Sequence, residues 1–478
     1  MSPWREELSA QVQLAMPVVA VNLAMMAMGV VDTLMAGKYL STTALAAIGL
    51  GHAWVWCPLA FGMGVVMALD PLVAQARGAN DEPAIARALQ RGLLMALAIS
   101  VPVAAALLAA GFVFEALGGI HLSDLLGLED ASAADAPVGH GLGPMVPASV
   151  ISVASGYARI SAFGVPALLV FLTLRQTLQA LGKLRAILIV AVLCNLVNVL
   201  FNWLLMFGHW GFPRLGALGC AWATVIVEVC MVVGLLVVTR SVISPYLWPI
   251  RRQALEWKPF ARLFVLGAPI GVAIALEHGA FNGIQFLMGS FGETVMAGHR
   301  MAIVIASISF MVPLGISTAA AVRVGLAVGA GDPQGVRRAA RVALAAGATT
   351  MACFGLSFVT WPEEFASLFT NDVAVIAVTA ALMPLAGAFQ LFDGLQVVAA
   401  GVLRGTADTR WPSILNFVGY WVLGLPVGFW WAFRQGSGPK ALWWGLAGGL
   451  AFVAVALIWR IVRRLSHVIE RVDLETIQ

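Results

Sequence analysis

The sequence predicts an all-α polytopic membrane protein, with about twelve transmembrane helices in two pseudo-symmetric six-helix bundles. Three observations carry this. Of the 478 residues, 60% are hydrophobic and only 11% charged, against about 25% charged in an average soluble domain. Apolar runs long enough to cross a bilayer recur along nearly the whole chain. The second half also repeats the first. With a shift of about 252, Pro17 falls over Pro269 and Gly37 over Gly289, and RGANDEPAIARA (77–88) stands beside VGAGDPQGVRRA (328–339).

Taken in order, the apolar runs predict spans at roughly 13–36, 46–74, 89–114, 152–181, 187–208 and 215–240, then 260–288, 296–322, 339–361, 374–403, 411–433 and 441–464. The division expected is a first bundle at 1–240, a connector at 241–259 with Trp248 and Trp257 at the interface, and a second bundle with a tail at 260–478. Six spans per half give both halves one topology, a parallel repeat about an axis along the membrane normal, so transport sites are expected between the halves. The repeat fades later, where LQALGKLRA (178–186) faces AGVLRGTADTR (400–410).

The amino-terminal MSPWREELSAQVQ carries acids and a base, and the apolar run behind it is too long for a cleaved signal, so the first span is expected to be retained. Lys and Arg crowd the even-numbered connections, including Arg77, Arg87, Arg91, Lys183, Arg185, Arg337, Arg338, Arg341 and Arg404. The opposite loops hold only Lys38, Arg214, Arg434 and Lys440. The positive-inside rule therefore places both termini in the cytoplasm. The acidic outer loop 118–148, with His121, Asp124, Glu129, Asp130 and His140, reads as a mobile surface loop, with a metal or substrate gate as the alternative.

Several function classes are excluded by what the chain lacks. It has no G-x-x-x-x-G-K-[ST], HExxH or G-x-S-x-G motif, which argues against an enzyme and leaves ion gradients as the driving force of any pump. The net charge of +4 shows no nucleic-acid-binding pattern, and the five cysteines all lie in apolar spans without ligand spacing.

The candidate chemistry lies in polar residues inside the spans. Asp32 stands in the first span, Glu277 in the seventh and Asp393 in the tenth. An acid at such depth costs roughly 2.5–3.5 kcal/mol on insertion scales and marks a functional site by default, the plainer alternative being a structural acid bonded to a neighbouring helix. Burial favours the neutral carboxyl and a bound cation the charged one, so such a group suits exchange of a proton or metal ion for an organic cation. Asn198 and Asn202, with Asn195 beside them, share a face of the fifth span at i, i+4, and Thr224 and Glu228 do the same on the sixth. Such polar residues also serve as interhelical glue.

Other positions are open to two readings. Asp70, before Pro71, is expected in the headgroups. His299 and Arg300 open the eighth span, with Arg300 either reaching outward or pairing with Glu277. Arg175 reads as a snorkelling interfacial cation. With Gln390 and Glu228, His299 and Arg300 make up the accessory candidates. Prolines at Pro17, Pro58, Pro166, Pro269, Pro313 and Pro384 allow kinks inside spans.

The segments MGVVDTLMAGKYLSTTALAAIGLG, ALDPLVAQARGAN, FNWLLMFGHWGFPRLGALGCAWAT and LQVVAAGVLRGTADTR resemble the multidrug and toxic compound extrusion (MATE) transporters, in particular their NorM-type branch. The resemblance covers nearly the whole chain. It implies a V-shaped pair of bundles in the bacterial inner membrane, exporting cationic amphipathic drugs and dyes in exchange for inward Na⁺ or H⁺. No cofactor is implied beyond the coupling ion, and the partners implied are the small-molecule substrate and the lipid bilayer, with a monomer expected. By position, Asp32, Asn198, Asn202 and Thr224 look like the family's amino-terminal cation or proton site, and Glu277 with Asp393 looks like the carboxy-terminal cation site, where Na⁺ is the metal implied. The chain departs from the pattern at Phe389, where relatives can have Tyr, at Arg300, where Gln is usual, and at Asp70, commonly uncharged. A flippase for lipid-linked precursors is the rival reading, and it calls for a cavity lined by cations where this chain places mostly acids.

Overall fold

A computed structural model describes residues 2–40, 42–118 and 148–475. The residues His121, Asp124, Glu129, Asp130 and His140 of the outer loop lie outside them. Among the described residues, eleven helices are long and apolar enough to cross a membrane, or twelve when a bent pair is counted as one span. In order these are Pro3–Gly37, Ala47–Gly78, Glu82–Leu108, the pair Ser149–Ser161 and Val165–Ala180, Leu184–Phe207, Ala217–Val238, Trp257–Gly289, Glu293–Gly329, Pro333–Thr360, Val373–Gly405, Arg410–Arg434 and Pro439–Leu465. They form the two bundles expected from the repeat. A short helix, Arg240–Leu247, and a 3₁₀ turn, Arg252–Leu255, join the sixth span to the seventh.

Two spans break where a proline removes a helix donor. The fourth bends by 50° between Ser161 and Val165, because Pro166 has no N–H for the Ala162 carbonyl. The second is interrupted at Met67–Ala68, four residues before Pro71, which likewise cannot donate to Met67. The sequence reading allowed a kink at Pro166 and ran straight through the break before Pro71.

Four connections on one face close in the same way. Asn80, Gly182, Gly331 and Ala407 all take positive φ (56°, 71°, 65° and 59°). The residue after each donates its N–H five positions back: Asp81 to Ala76, Lys183 to Leu178, Asp332 to Ala327 and Asp408 to Leu403. This is the bond that closes a helix through a left-handed residue. Asp81 and Asp332 then cap the next helix, accepting from the N–H of Ala84 and of Gly335 at 3.0 and 2.9 Å.

The halves meet along the first and eighth spans and along the second and seventh. Glycines permit the approach: a Cβ on Gly64 would run into the backbone of Gly271, and one on Gly78 or Gly329 would strike Leu326 or Gln75. The last two contacts lie on the face that carries both chain ends. There Glu7 receives two bonds from Arg323, at 2.9 and 2.6 Å. Gln75 donates to the Gly405 carbonyl at 2.9 Å. The tail crosses to the first half, where Arg471 pairs with Asp81 and Glu475 with Arg87 and Arg91, and Leu474 is buried in that half's core. The outward faces of the spans, such as Leu193, Leu196, Val233, Val237 and Val455, stay exposed and apolar as lipid contact requires.

Candidate functional sites

In the first half, Asp32 is drawn into the bundle by the fifth span. The Asn202 amide donates to Asp32 Oδ1 at 2.5 Å and to Asn198 Oδ1 at 3.2 Å, so the i, i+4 face read from the sequence points at the acid. Asn198, Thr224 and Cys220 stand close enough to act on the carboxyl electrostatically, while the Thr224 hydroxyl itself donates to the Cys220 carbonyl at 3.1 Å. Asp32 is almost fully buried and both amides are wholly so. Asn202 Oδ1 and Asn198 Nδ2 have no partner, leaving one acceptor and one donor beside the acid for a proton, a water or a cation. Asn195 points elsewhere, donating to the carbonyls of Ala24 and Ala191, and serves as interhelical glue.

The sequence reading missed two neighbours. Cys220 stands four residues before Thr224 and shares its face, which is a legible signal. Buried Tyr157, on the bent fourth span, is within electrostatic reach of both Asp32 and Glu228, and only the fold brings it there. Glu228 faces the break in that span: a Cβ on Gly164 would collide with its carboxylate. The accessory residue Glu228 therefore borders the Asp32 site through Tyr157 without touching the acid.

In the second half, Glu277 and Asp393 come from different helices and face each other electrostatically. Gln396 links the site together, donating to Glu277 Oε2 at 3.4 Å and accepting from the Tyr420 hydroxyl at 2.8 Å. Asp393 Oδ1 is buried without a partner. Gln396 lies three residues beyond Asp393, hence on its face, and was legible. Tyr420 was not, being an aromatic in an apolar run. It supplies a hydroxyl to this bundle where Phe389, buried against Trp443, has none. Tyr420 lies in a π-helical stretch, Phe417–Gly424, whose widened turns set Gly419 and Gly424 five apart against Gly449 and Gly445 of the twelfth span.

The accessory residues of this half separate. Gln390 donates to Ser309 Oγ at 2.6 Å and ties the tenth span to the eighth. His299 packs edge-on to Trp443 with its Nδ1 unpartnered. Arg300 is exposed, and no ion pair joins it to Glu277 among the described residues. No cluster of three or more His, Cys, Asp or Glu side chains with metal-holding geometry occurs among the described residues, so a cation held here would rest on Glu277, Asp393 and neutral oxygens.

Asp70 corrects the sequence reading. It is fully buried inside the protein and does not face outward to headgroups, and the opposite half brings Arg404 to 3.4 Å from its Oδ2. Arg175 also turns inward, donating to Asn22 Oδ1 at 2.6 Å.

Two repeated six-span bundles with acids buried inside each define a polytopic membrane protein of internally duplicated architecture. The MatE family model matches residues 17–119, 145–204 and 269–430. The chain is 36% identical over 470 residues to the probable multidrug resistance protein NorM of Mesorhizobium japonicum, covering 96% of this chain and 95% of that one. It is 35% identical to the multidrug resistance protein PmpM of Pseudomonas aeruginosa, covering 96% and 92%. Among solved structures, the eukaryotic MATE transporter AtDTX14 superposes with a TM-score of 0.84 at 20% identity over 96% of both chains. This chain belongs to the MatE family, on its NorM-type branch.

Proposed function

We propose that the protein is a secondary active multidrug efflux transporter, exchanging cationic amphipathic compounds for inward Na⁺ or H⁺ by alternating access. The observation that carries this is the presence of one buried, incompletely partnered acid centre in each half: Asp32 among Asn198, Asn202 and Thr224, and Glu277 with Asp393 around Gln396 and Tyr420. Each centre gains a favourable partner when a proton or cation arrives, and that is what coupling to an ion gradient requires. In this reading both termini are cytoplasmic in the bacterial inner membrane, the halves divide at the connector 241–259, and the protein works as a monomer. The structure, joined on the terminus-bearing face, is then closed toward the cytoplasm.

A tenfold ion gradient supplies about 1.4 kcal/mol, and 100 mV adds about 2.3 kcal/mol per net charge moved, a contribution that one-for-one exchange of a monovalent cationic drug does not receive. The test is ethidium transport in membrane vesicles under separately imposed Na⁺ and H⁺ gradients, comparing wild type with Asp32→Asn, Glu277→Gln and Asp393→Asn. Gradient-driven transport that falls in the variants is the expected result. Undiminished transport in all three sinks the carboxylate mechanism.

A further inference from the structure

Among the described residues, Asp70 is the one acid with no exposed surface, and neither candidate centre uses it. It sits in the second span, one and a half turns before Gln75, at the seam where the second, eighth and tenth spans meet. Its ion pair with Arg404 crosses from the first half to the second, at 3.4 Å. Both of its oxygens lack a hydrogen bond, as do Nε and Nη2 of Arg404, so the pair is held by charge and not by fixed bonding geometry. A second cation, Arg175, acts on the same carboxylate. It belongs to Asp70's own half and is anchored there by Asn22 of the first span and by Met25 Sδ at 3.1 Å. Gln179, one turn beyond Arg175, is buried with both side-chain atoms unpartnered. The surroundings are thus polar and unsaturated enough for a side chain to change partners.

We propose that Asp70 is a positioning residue for transport that exchanges partners between the halves. It pairs with Arg404 while the terminus-bearing face is closed, and with Arg175 when that face opens. This rests on the alternating-access reading above. The physical need is plain: a carboxylate left unpaired at this depth blocks separation of the halves, whereas one with a standby cation in its own half lets them part. Arg404 lies at the very end of the tenth span and reaches water or headgroups once the seam opens. The arrangement gives the two arginines opposite effects. Arg404 favours the closed face and Arg175 the open one, a ligand-free form of differential stabilisation.

The test is hydrogen–deuterium exchange of the full chain in lipid nanodiscs, read at 72–81 and 324–332, the segments that abut across the seam. Arg404→Gln is expected to speed exchange there by about tenfold, Arg404→Lys to stay within about twofold because the charge is kept, Arg175→Gln to slow it, and Asp70→Asn, which removes both pairings, to change it less than Arg404→Gln does. A merely structural role for the cluster predicts faster exchange in all of the neutral variants. If Asp70→Asn does not fold, the Arg404 and Arg175 variants still decide. Unchanged exchange in Arg404→Gln, or faster exchange in Arg175→Gln, overturns the proposal even with transport intact. Should the wild type move no cation while the opposite-signed exchange pattern appears, the transport reading fails and the partner exchange stands.

Discussion

Tyr420→Phe removes one oxygen and keeps the ring, including its contact with Phe281. That oxygen is the donor to Gln396 Oε1 at 2.8 Å, and the other end of the same amide holds Glu277. Both Tyr420 and Gln396 are at most 2% exposed, so no bulk water replaces the lost donor. Leaving a buried carbonyl oxygen unsatisfied costs about 1–3 kcal/mol, equivalent to about 5- to 150-fold in the population of correctly placed Gln396. The weaker 3.4 Å bond to Glu277 is too long to hold the amide alone. Gradient-driven ethidium transport should therefore fall by about tenfold, with the ion concentration for half-activation rising, while thermal unfolding in detergent shifts by only a few degrees. A variant that folds and keeps both its rate and its ion midpoint within about twofold of wild type would refute the role assigned to the Tyr420–Gln396–Glu277 chain.

Other perturbations follow from the same physics. Gly64→Val should wedge the second and seventh spans apart at Gly271 and abolish transport at normal expression, measured in the same vesicles; retained activity would mean that this crossing tolerates separation. Ala407 pays for a left-handed φ that Gly adopts freely, so Ala407→Gly should raise stability by roughly 0.5–1 kcal/mol, seen as a higher midpoint of thermal unfolding. Asp81 lies outside the spans. Burial pushes its carboxyl up, but the Arg471 hydrogen bond, the Ala84 N–H and the charges of Arg471 and Arg87 outweigh it and hold it below the ordinary value. Its contribution to tail docking is thus fully present above about pH 4 and is lost as pH falls through the depressed value. Asp81 is partly exposed, so the effect stays below about 1 kcal/mol. Pepsin cleavage within 466–475 should set in at a higher pH in Arg471→Gln than in wild type, and equal profiles would deny the pair any part in docking.

The helices were legible because membrane burial writes itself into long apolar runs, and the Asp32 site because Asn198 and Asn202 must share a face whatever the fold does. What stayed hidden depends on partners from distant parts of the chain. Asp70 reads as a headgroup acid because Pro71 follows it. Only the packing of the second span against the eighth and tenth spans shows that Arg404 compensates it. His299 reads only as an accessory candidate at the opening of the eighth span, and its ring packs edge-on to Trp443, a residue with no marking in the sequence. Tyr420 is the converse, a plain aromatic whose hydroxyl is placed by a π-helical stretch that no apolar periodicity announces.

The repeat explains why the two acid centres differ. What the halves share is backbone machinery on one face: left-handed residues at Asn80 and Gly331, caps at Asp81 and Asp332, and close glycine contacts. These devices fix helix ends and depend little on side chains inside the bundle. The acids lie where the halves are free to diverge. Shifted by the repeat, Asp32 falls on Ile284, which is buried in an apolar cluster with Ala280, Met288 and Ala302. An acid there would find no amide like Asn202 and would remain an unpaired charge, so the second half has to assemble its centre elsewhere. It does so from Glu277 on the seventh span and Asp393 and Gln396 on the tenth. Each centre thus draws on three spans, Asp32 meeting the fifth and sixth and Glu277 meeting the tenth and, through Gln396 and Tyr420, the eleventh, so both respond to relative movement of the helices within their half.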